Sequence, residues 1–131
     1  MSGCYVVDDD FVLVSRWLRE PVPTTGNPLE ALAKAFLHHS VQSSPKYDDR
    51  REDKGMFLLH QVKTRGAEGV IFAAPSFCDP ALLERPMLQE VLAKQKIPYT
   101  AFKYAENTGQ MAPIREQAGT FADSIKLGSA A

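Results

Sequence analysis

The stretch Gly69-Val70-Ile71-Phe72-Ala73-Ala74-Pro75-Ser76-Phe77-Cys78-Asp79-Pro80 decides how this chain folds. Six residues from Gly69 to Ala74 carry no polar side chain on either face. An antiparallel strand with one wet face would alternate; a strand apolar on both faces belongs in a parallel sheet with helices on each side. Pro75-Ser76-Phe77-Cys78 reads as the turn that ends the strand. Asp79-Pro80 then supplies an N-cap and a first helical residue, so a helix opens directly after Cys78.

Working outward, short apolar runs alternate with helical periodicity. Upstream, Lys54 to Arg65 reads as a helix closed by Gly66 at C′. Before it, the polar, Pro45-containing stretch 40–51 reads as a loop. Asn27-Pro28-Leu29-Glu30 starts another helix, with Asn as N-cap, Pro at N1 and Glu at N3. Its Leu29, Leu32, Ala33, Phe36 and Leu37 recur at helical spacing and predict one buried stripe. Cys4-Tyr5-Val6-Val7, ended by three aspartates, reads as a first strand. Downstream, Pro86 is expected to divide the helix after Cys78 into a short turn and a main part ending near Leu92. Pro98-Tyr99-Thr100-Ala101-Phe102 reads as a third strand, and Ala105 to Gln110 as a loop. Met111, Ile114, Ala118, Phe121 and Ile125 predict a last core-facing helix, after which Gly128 to Ala131 should fray. The alternation implies βαβ units, a parallel sheet with right-handed crossovers, and ligands gathered beyond the carboxyl ends of the strands. Asp8 to Phe11, Ala74 to Asp79 and Tyr104 to Gln110 are the segments expected at that edge.

Composition excludes several classes. Fifteen basic and sixteen acidic residues give a net charge of -1, so nothing draws the chain to nucleic acid or to an anionic membrane surface. No apolar run approaches the ~20 residues needed to span a bilayer, and Met1–Val7 lacks the basic and long apolar regions of a signal peptide. The chain reads as soluble and cytoplasmic. Two cysteines far apart do not make a disulfide framework; in a reducing compartment they are thiols or metal ligands.

Cys78 is the candidate for chemistry. It follows a buried strand and precedes a helix N-terminus, where the dipole and free amides favour the thiolate that binds metal or attacks. A small buried apolar residue is the alternative. One cysteine cannot hold a cluster, so further ligands must come from elsewhere in the molecule or from a partner. Cys4, at the start of the first strand, would lie at the opposite sheet edge, roughly 15 Å away. It reads as a core thiol. Asp8, Asp9 and Asp10 could hold a hard cation but read better as a solvated turn. His38 and His39 are adjacent on a helix, and His60 is distant, which argues against a zinc pair at i, i+4. Neither G-x-S-x-G nor G-x-x-x-x-G-K-[ST] occurs. Asn107, Thr108, Gly109 and Gln110 offer amides and a hydroxyl that could contact a ligand, or simply form a turn and cap.

The run Gly66-Ala67-Glu68-Gly69-Val70-Ile71-Phe72-Ala73-Ala74-Pro75-Ser76-Phe77-Cys78-Asp79-Pro80 resembles the "G-A-[DE]-G-V-I-F-x-x-x-[KS]-F-C-D-P" pattern of the benzoyl-CoA reductase / 2-hydroxyacyl-CoA dehydratase family, of the 2-hydroxyglutaryl-CoA dehydratase D-component type. Ile97-Pro98-Tyr99 leading into Tyr104-Ala105-Glu106-Asn107-Thr108-Gly109-Gln110 is similar to its "G-I-P…E-x-[NT]-x-G-Q" stretch. Ile114 to Phe121 is similar to its "[LI]-R-x-x-x-x-x-F" ending. Val7 to Phe11, Ser15-Arg16-Trp17 and Gln117 to Leu127 look most like the reductase branch. Many dehydratase members carry Cys where Val12 stands here.

This resemblance implies a partial flavodoxin/Rossmann-like three-layer α/β domain with a parallel sheet of about three strands. Residues 1–127 would be the C-terminal domain of a larger polypeptide, incomplete at its N-terminal side, and 128–131 a disordered tail. It implies Cys78 as one of three cysteines on a [4Fe–4S] cluster, the other two coming from a domain with no counterpart here. It implies an oxidoreductase subunit passing low-potential electrons to an aromatic acyl-CoA. Its partners would be a paralogous cluster-bearing subunit, together with ATP-hydrolysing activator subunits, and Asn107–Gln110 would at most contact CoA. The alternatives are an (R)-2-hydroxyacyl-CoA dehydratase subunit, or a truncated α/β module without catalysis. The family topology would also leave a gap between the first two strands here, so the isolated chain should be marginally stable and hold no intact cluster.

Overall fold

A computed structural model describes residues 3–10, 21–38, 51–105 and 111–128. Its elements are α1 (Pro28–His38), α2 (Arg51–Arg65), β1 (Val70–Pro75), α3 (Asp79–Lys94), β2 (Tyr99–Tyr104) and α4 (Met111–Gly128). The two strands pair in parallel, from Val70 opposite Tyr99 to Pro75 opposite Tyr104, with α3 as the crossover. A parallel pair needs such a connection, because a tight hairpin cannot reverse the chain twice.

Side-chain alternation along β1 separates two covered faces. Val70 and Phe72 pack into a cluster with Leu59 and Val62 of α2 and Leu92 of α3, the last fully buried. Gly69 has the opposite parity, and a Cβ there would stand 2.7 Å from the Phe121 ring and 2.8 Å from Ile125. Helix α4 therefore lies directly on the other face, and Gln117 reinforces it by donating to Thr100 Oγ1 on β2 (3.2 Å). Helix, sheet and helix form three layers, so the mixed α/β, partial three-layer class expected from the sequence is the class observed. Lys54 of α2 and Glu84 of α3, both largely enclosed, form an ion pair between the two helices of one layer.

Local signals were accurate where backbone chemistry decides. Asn27 Oδ1 accepts from the amides of Leu29 (3.0 Å) and Glu30 (3.5 Å), as an N-cap should. Gly66 adopts φ +64°, and the Ala67 amide returns to the Val62 carbonyl at 3.0 Å, closing α2.

Several expectations need correction. Cys4–Val7 forms no strand: Tyr5 is 88% exposed, and the segment pairs with neither β1 nor β2. A strand exists only by virtue of a ladder, and this run instead passes α4, with Cys4 Sγ 3.5 Å from the Ala118 carbonyl. Two strands, not three, are thus present among the described residues. On α1 the apolar stripe is turned out: Leu29 is 77% exposed and Leu32, Ala33 and Leu37 are exposed, while Ala31 and Ala35 are buried. The side chain of Phe36 lies outside the described residues. Helix α3 is not divided at Pro86; it runs unbroken to Lys94. Proline there removes the amide that would bond the Leu82 carbonyl, but Val91 and Leu92 beyond it are anchored on α2 and β1. On α4, Met111 is exposed whereas Ala118 and Ala122 carry the contact, and the helix continues through Gly128, which therefore does not belong to a tail. Residues 129–131 and most of the 40–51 loop lie outside the described residues.

Candidate functional site

Cys78 sits where β1 passes into α3, beyond the carboxyl edge of the sheet. Three hydrogen bonds fix its backbone. The Ser76 amide donates to the Tyr104 carbonyl at the end of β2 (2.8 Å), continuing the ladder one residue past the strand. The Cys78 amide then donates to the Pro75 carbonyl (3.0 Å), closing a four-residue turn. The Leu82 amide donates to the Cys78 carbonyl (3.0 Å), starting the helix. Cys78, rather than Asp79, is accordingly the N-cap residue, with Asp79 and Pro80 as the first two helical positions. The correction has a chemical side. An N-cap Ser or Asp would spend its side chain on a helix amide, whereas the Cys78 side chain makes no such bond and remains available.

Ser76 adds a tie that the sequence did not disclose: its hydroxyl also donates to the Tyr104 carbonyl, at 3.1 Å. A serine at a strand end was the available signal, but its acceptor lies 28 residues away. Phe77, at the tip of the turn, is 92% exposed, and Cys78 itself is half-buried.

The other candidates separate. Tyr104 and Ala105 share the carboxyl edge with Cys78, while Asn107, Thr108, Gly109 and Gln110 lie outside the described residues. Asp8 does not reach that edge. Its carboxylate lies 3.4 Å from Arg65 Nε, at the end of α2 that leads into the start of β1, and it accepts from the Asp9 amide at 3.0 Å. The aspartate run is exposed and forms no assigned turn, and Asp8 is engaged by Arg65 and by the Asp9 amide. Cys4 is exposed, not a core thiol, and is held along α4. His60 is exposed. Among the described residues, no three His, Cys, Asp or Glu side chains gather closely enough to hold a metal ion. A cysteine sulfur is a soft donor of the type that binds iron–sulfur clusters, and one such side chain could be at most one ligand of a set. Among the same residues no helix is long and apolar enough to cross a membrane.

The chain is 66% identical over 129 residues to a benzoyl-CoA reductase subunit of Thauera aromatica, covering 98% of this chain and 33% of that protein. It is 30% identical over 94 residues to the beta subunit of (R)-phenyllactyl-CoA dehydratase from Clostridium sporogenes, covering 72% of this chain and 24% of that one. It is 27% identical over 124 residues to the beta subunit of (R)-2-hydroxyglutaryl-CoA dehydratase from Acidaminococcus fermentans, covering 92% and 32%. The chain thus spans a third or less of the length of these relatives. No solved structure matches. The family model for 2-hydroxyglutaryl-CoA dehydratase, D-component, matches residues 1–125. With nearly its whole length matched, and with Phe77-Cys78-Asp79-Pro80 set at the carboxyl edge of a parallel sheet, the chain belongs to the 2-hydroxyglutaryl-CoA dehydratase, D-component family.

Proposed function

We propose that this chain is part of the iron–sulfur subunit of an ATP-dependent benzoyl-CoA reductase, with Cys78 as one ligand of a [4Fe–4S] cluster. The observation that carries the reductase reading is the 66% identity over 98% of the chain to a benzoyl-CoA reductase subunit, against 30% or less to the dehydratase beta subunits. Such a cluster, when bound, supplies one-electron transfer at low potential. The residues here hold and orient. Ser76 and Tyr104 pin the turn, the first turn of α3 fixes the Cys78 backbone, and the Cys78 side chain makes no capping bond. The remaining ligands, the activator ATPase and the aromatic acyl-CoA belong to the rest of the assembly.

A full-length polypeptide that includes this sequence tests the reading. Cys78→Ala should remove iron and its visible absorbance while leaving the far-ultraviolet dichroism unchanged. Unchanged iron content in that variant would refute the assignment of Cys78. With partner subunits, ATP-driven loss of benzoyl-CoA aromaticity is expected. Dehydration of a 2-hydroxyacyl-CoA without net reduction would instead support the dehydratase alternative.

A further inference from the structure

The bond from the Cys78 amide to the Pro75 carbonyl (3.0 Å) makes Ser76 and Phe77 the two corner residues of the turn between β1 and α3. Packing does little to hold that corner, since Pro75 is exposed and Phe77 is almost fully so. Cys78 does not fix itself either, because its side chain makes no bond to the helix that it caps. The corner is left to Ser76, which is attached twice to one atom. Its amide donates to the Tyr104 carbonyl at 2.8 Å, and its hydroxyl donates to the same oxygen at 3.1 Å.

The two bonds have different consequences. The amide bond continues the β1–β2 ladder, and any residue except proline would make it. On its own it leaves the peptide free to rock about the line from donor to acceptor. The hydroxyl bond adds a second point of attachment and closes a small ring through the Ser76 N, Cα, Cβ and Oγ atoms. That ring removes the rocking and holds χ1 in one well. Cys78 stands two residues further on, so a rotation at Ser76 passes through the turn to the thiol.

We infer that Ser76 is a positioning residue for Cys78, its hydroxyl setting where the thiol points and how firmly it is held there. The inference rests on the reading of Cys78 as an iron ligand. Groups that orient a ligand without touching the metal govern how tightly the metal is kept and tune its electronic state.

The test uses the full-length polypeptide that includes this sequence, as wild type, Ser76→Ala, Ser76→Thr and Cys78→Ala. Ser76→Ala keeps the amide bond, so it should fold with unchanged far-ultraviolet dichroism and full iron content. It should nevertheless release iron to a chelator about 10-fold faster. The electron paramagnetic resonance spectrum of the reduced protein should broaden as well. Ser76→Thr restores the hydroxyl and should bring both readouts back toward wild type. A tie that only stabilised the domain would lower the melting temperature and leave that spectrum unchanged. Wild-type release and spectrum in Ser76→Ala, beside loss of iron in Cys78→Ala, would overturn the role of Ser76 and leave Cys78 a ligand. A threonine variant that behaves like the alanine one would overturn it too, because the hydroxyl would then not be the acting group. Full iron in Cys78→Ala would instead remove the reading on which the inference stands.

Discussion

Gly55→Ala is a substitution whose sign the structure decides against the usual expectation. Gly55 is buried in the first half of α2, and inside a helix alanine is favoured over glycine by about 1 kcal/mol. Here, however, an added Cβ would meet Val91 of α3, at 2.7 Å from Cγ2, 3.3 Å from Cγ1 and 3.4 Å from Cβ. Val91 is β-branched and holds essentially one χ1 well in a helix, so it cannot swing aside. The helices must separate instead, and overpacking of that kind costs about 1–3 kcal/mol. The net expectation is destabilisation by about 1 kcal/mol, or about 4 °C in melting temperature for a chain of this size. A double-mutant cycle isolates the cause. In a Val91→Ala background the obstruction is gone, and Gly55→Ala should become stabilising by about 1 kcal/mol, giving a coupling of about 2 kcal/mol. Urea unfolding of the four proteins measures it. If Gly55→Ala stabilises equally in both backgrounds, with a coupling below about 0.5 kcal/mol, the close α2–α3 approach is wrong.

Leu92→Ala removes the fully buried side chain at the centre of the α2–β1–α3 cluster and should cost about 3 kcal/mol, read as a fall in the urea midpoint without a change of slope. A cost below about 1 kcal/mol would mean that the cluster does not hold the domain. The exposed pair Glu90–Lys94, at 2.8 Å on α3, should show as a small pH- and salt-dependent effect. The hydrogen bond and charge of Lys94 lower the Glu90 carboxyl below its ordinary 4.5, and Glu90 raises the Lys94 ammonium above its ordinary 10.5. The contribution of the carboxylate is therefore present above its unfolded value and lost as pH falls through the lowered one. That of the ammonium is present below its unfolded value and lost as pH rises through the raised one. Glu90→Gln should accordingly lower the melting temperature slightly at about pH 7, and high salt should erase the difference. A salt-independent difference would point to packing.

What was legible in the sequence is what local chemistry settles. Asn27 and Gly66 cap helices because their side chain, or lack of one, satisfies orphan backbone groups wherever the helix lies. Val70–Ala74 was legible as a strand between helix layers because a run without a polar side-chain atom permits little else, although Ala73 is exposed. Cys78 was legible as a strand-to-helix junction for the same reason. Periodicity failed where it needed a neighbour. The leucines of α1 do form a stripe, but a stripe says only that something should cover it, and here no described residue does. Cys4–Val7 has the composition of a strand and no ladder to join. Pro86 reads locally as a break, yet α3 is tied to α2 before it by the Glu84–Lys54 ion pair and packed on α2 and β1 after it through Val91 and Leu92. The bonds of Gln117 to Thr100 and Ala101 join residues 17 and 16 apart and left no local trace at all.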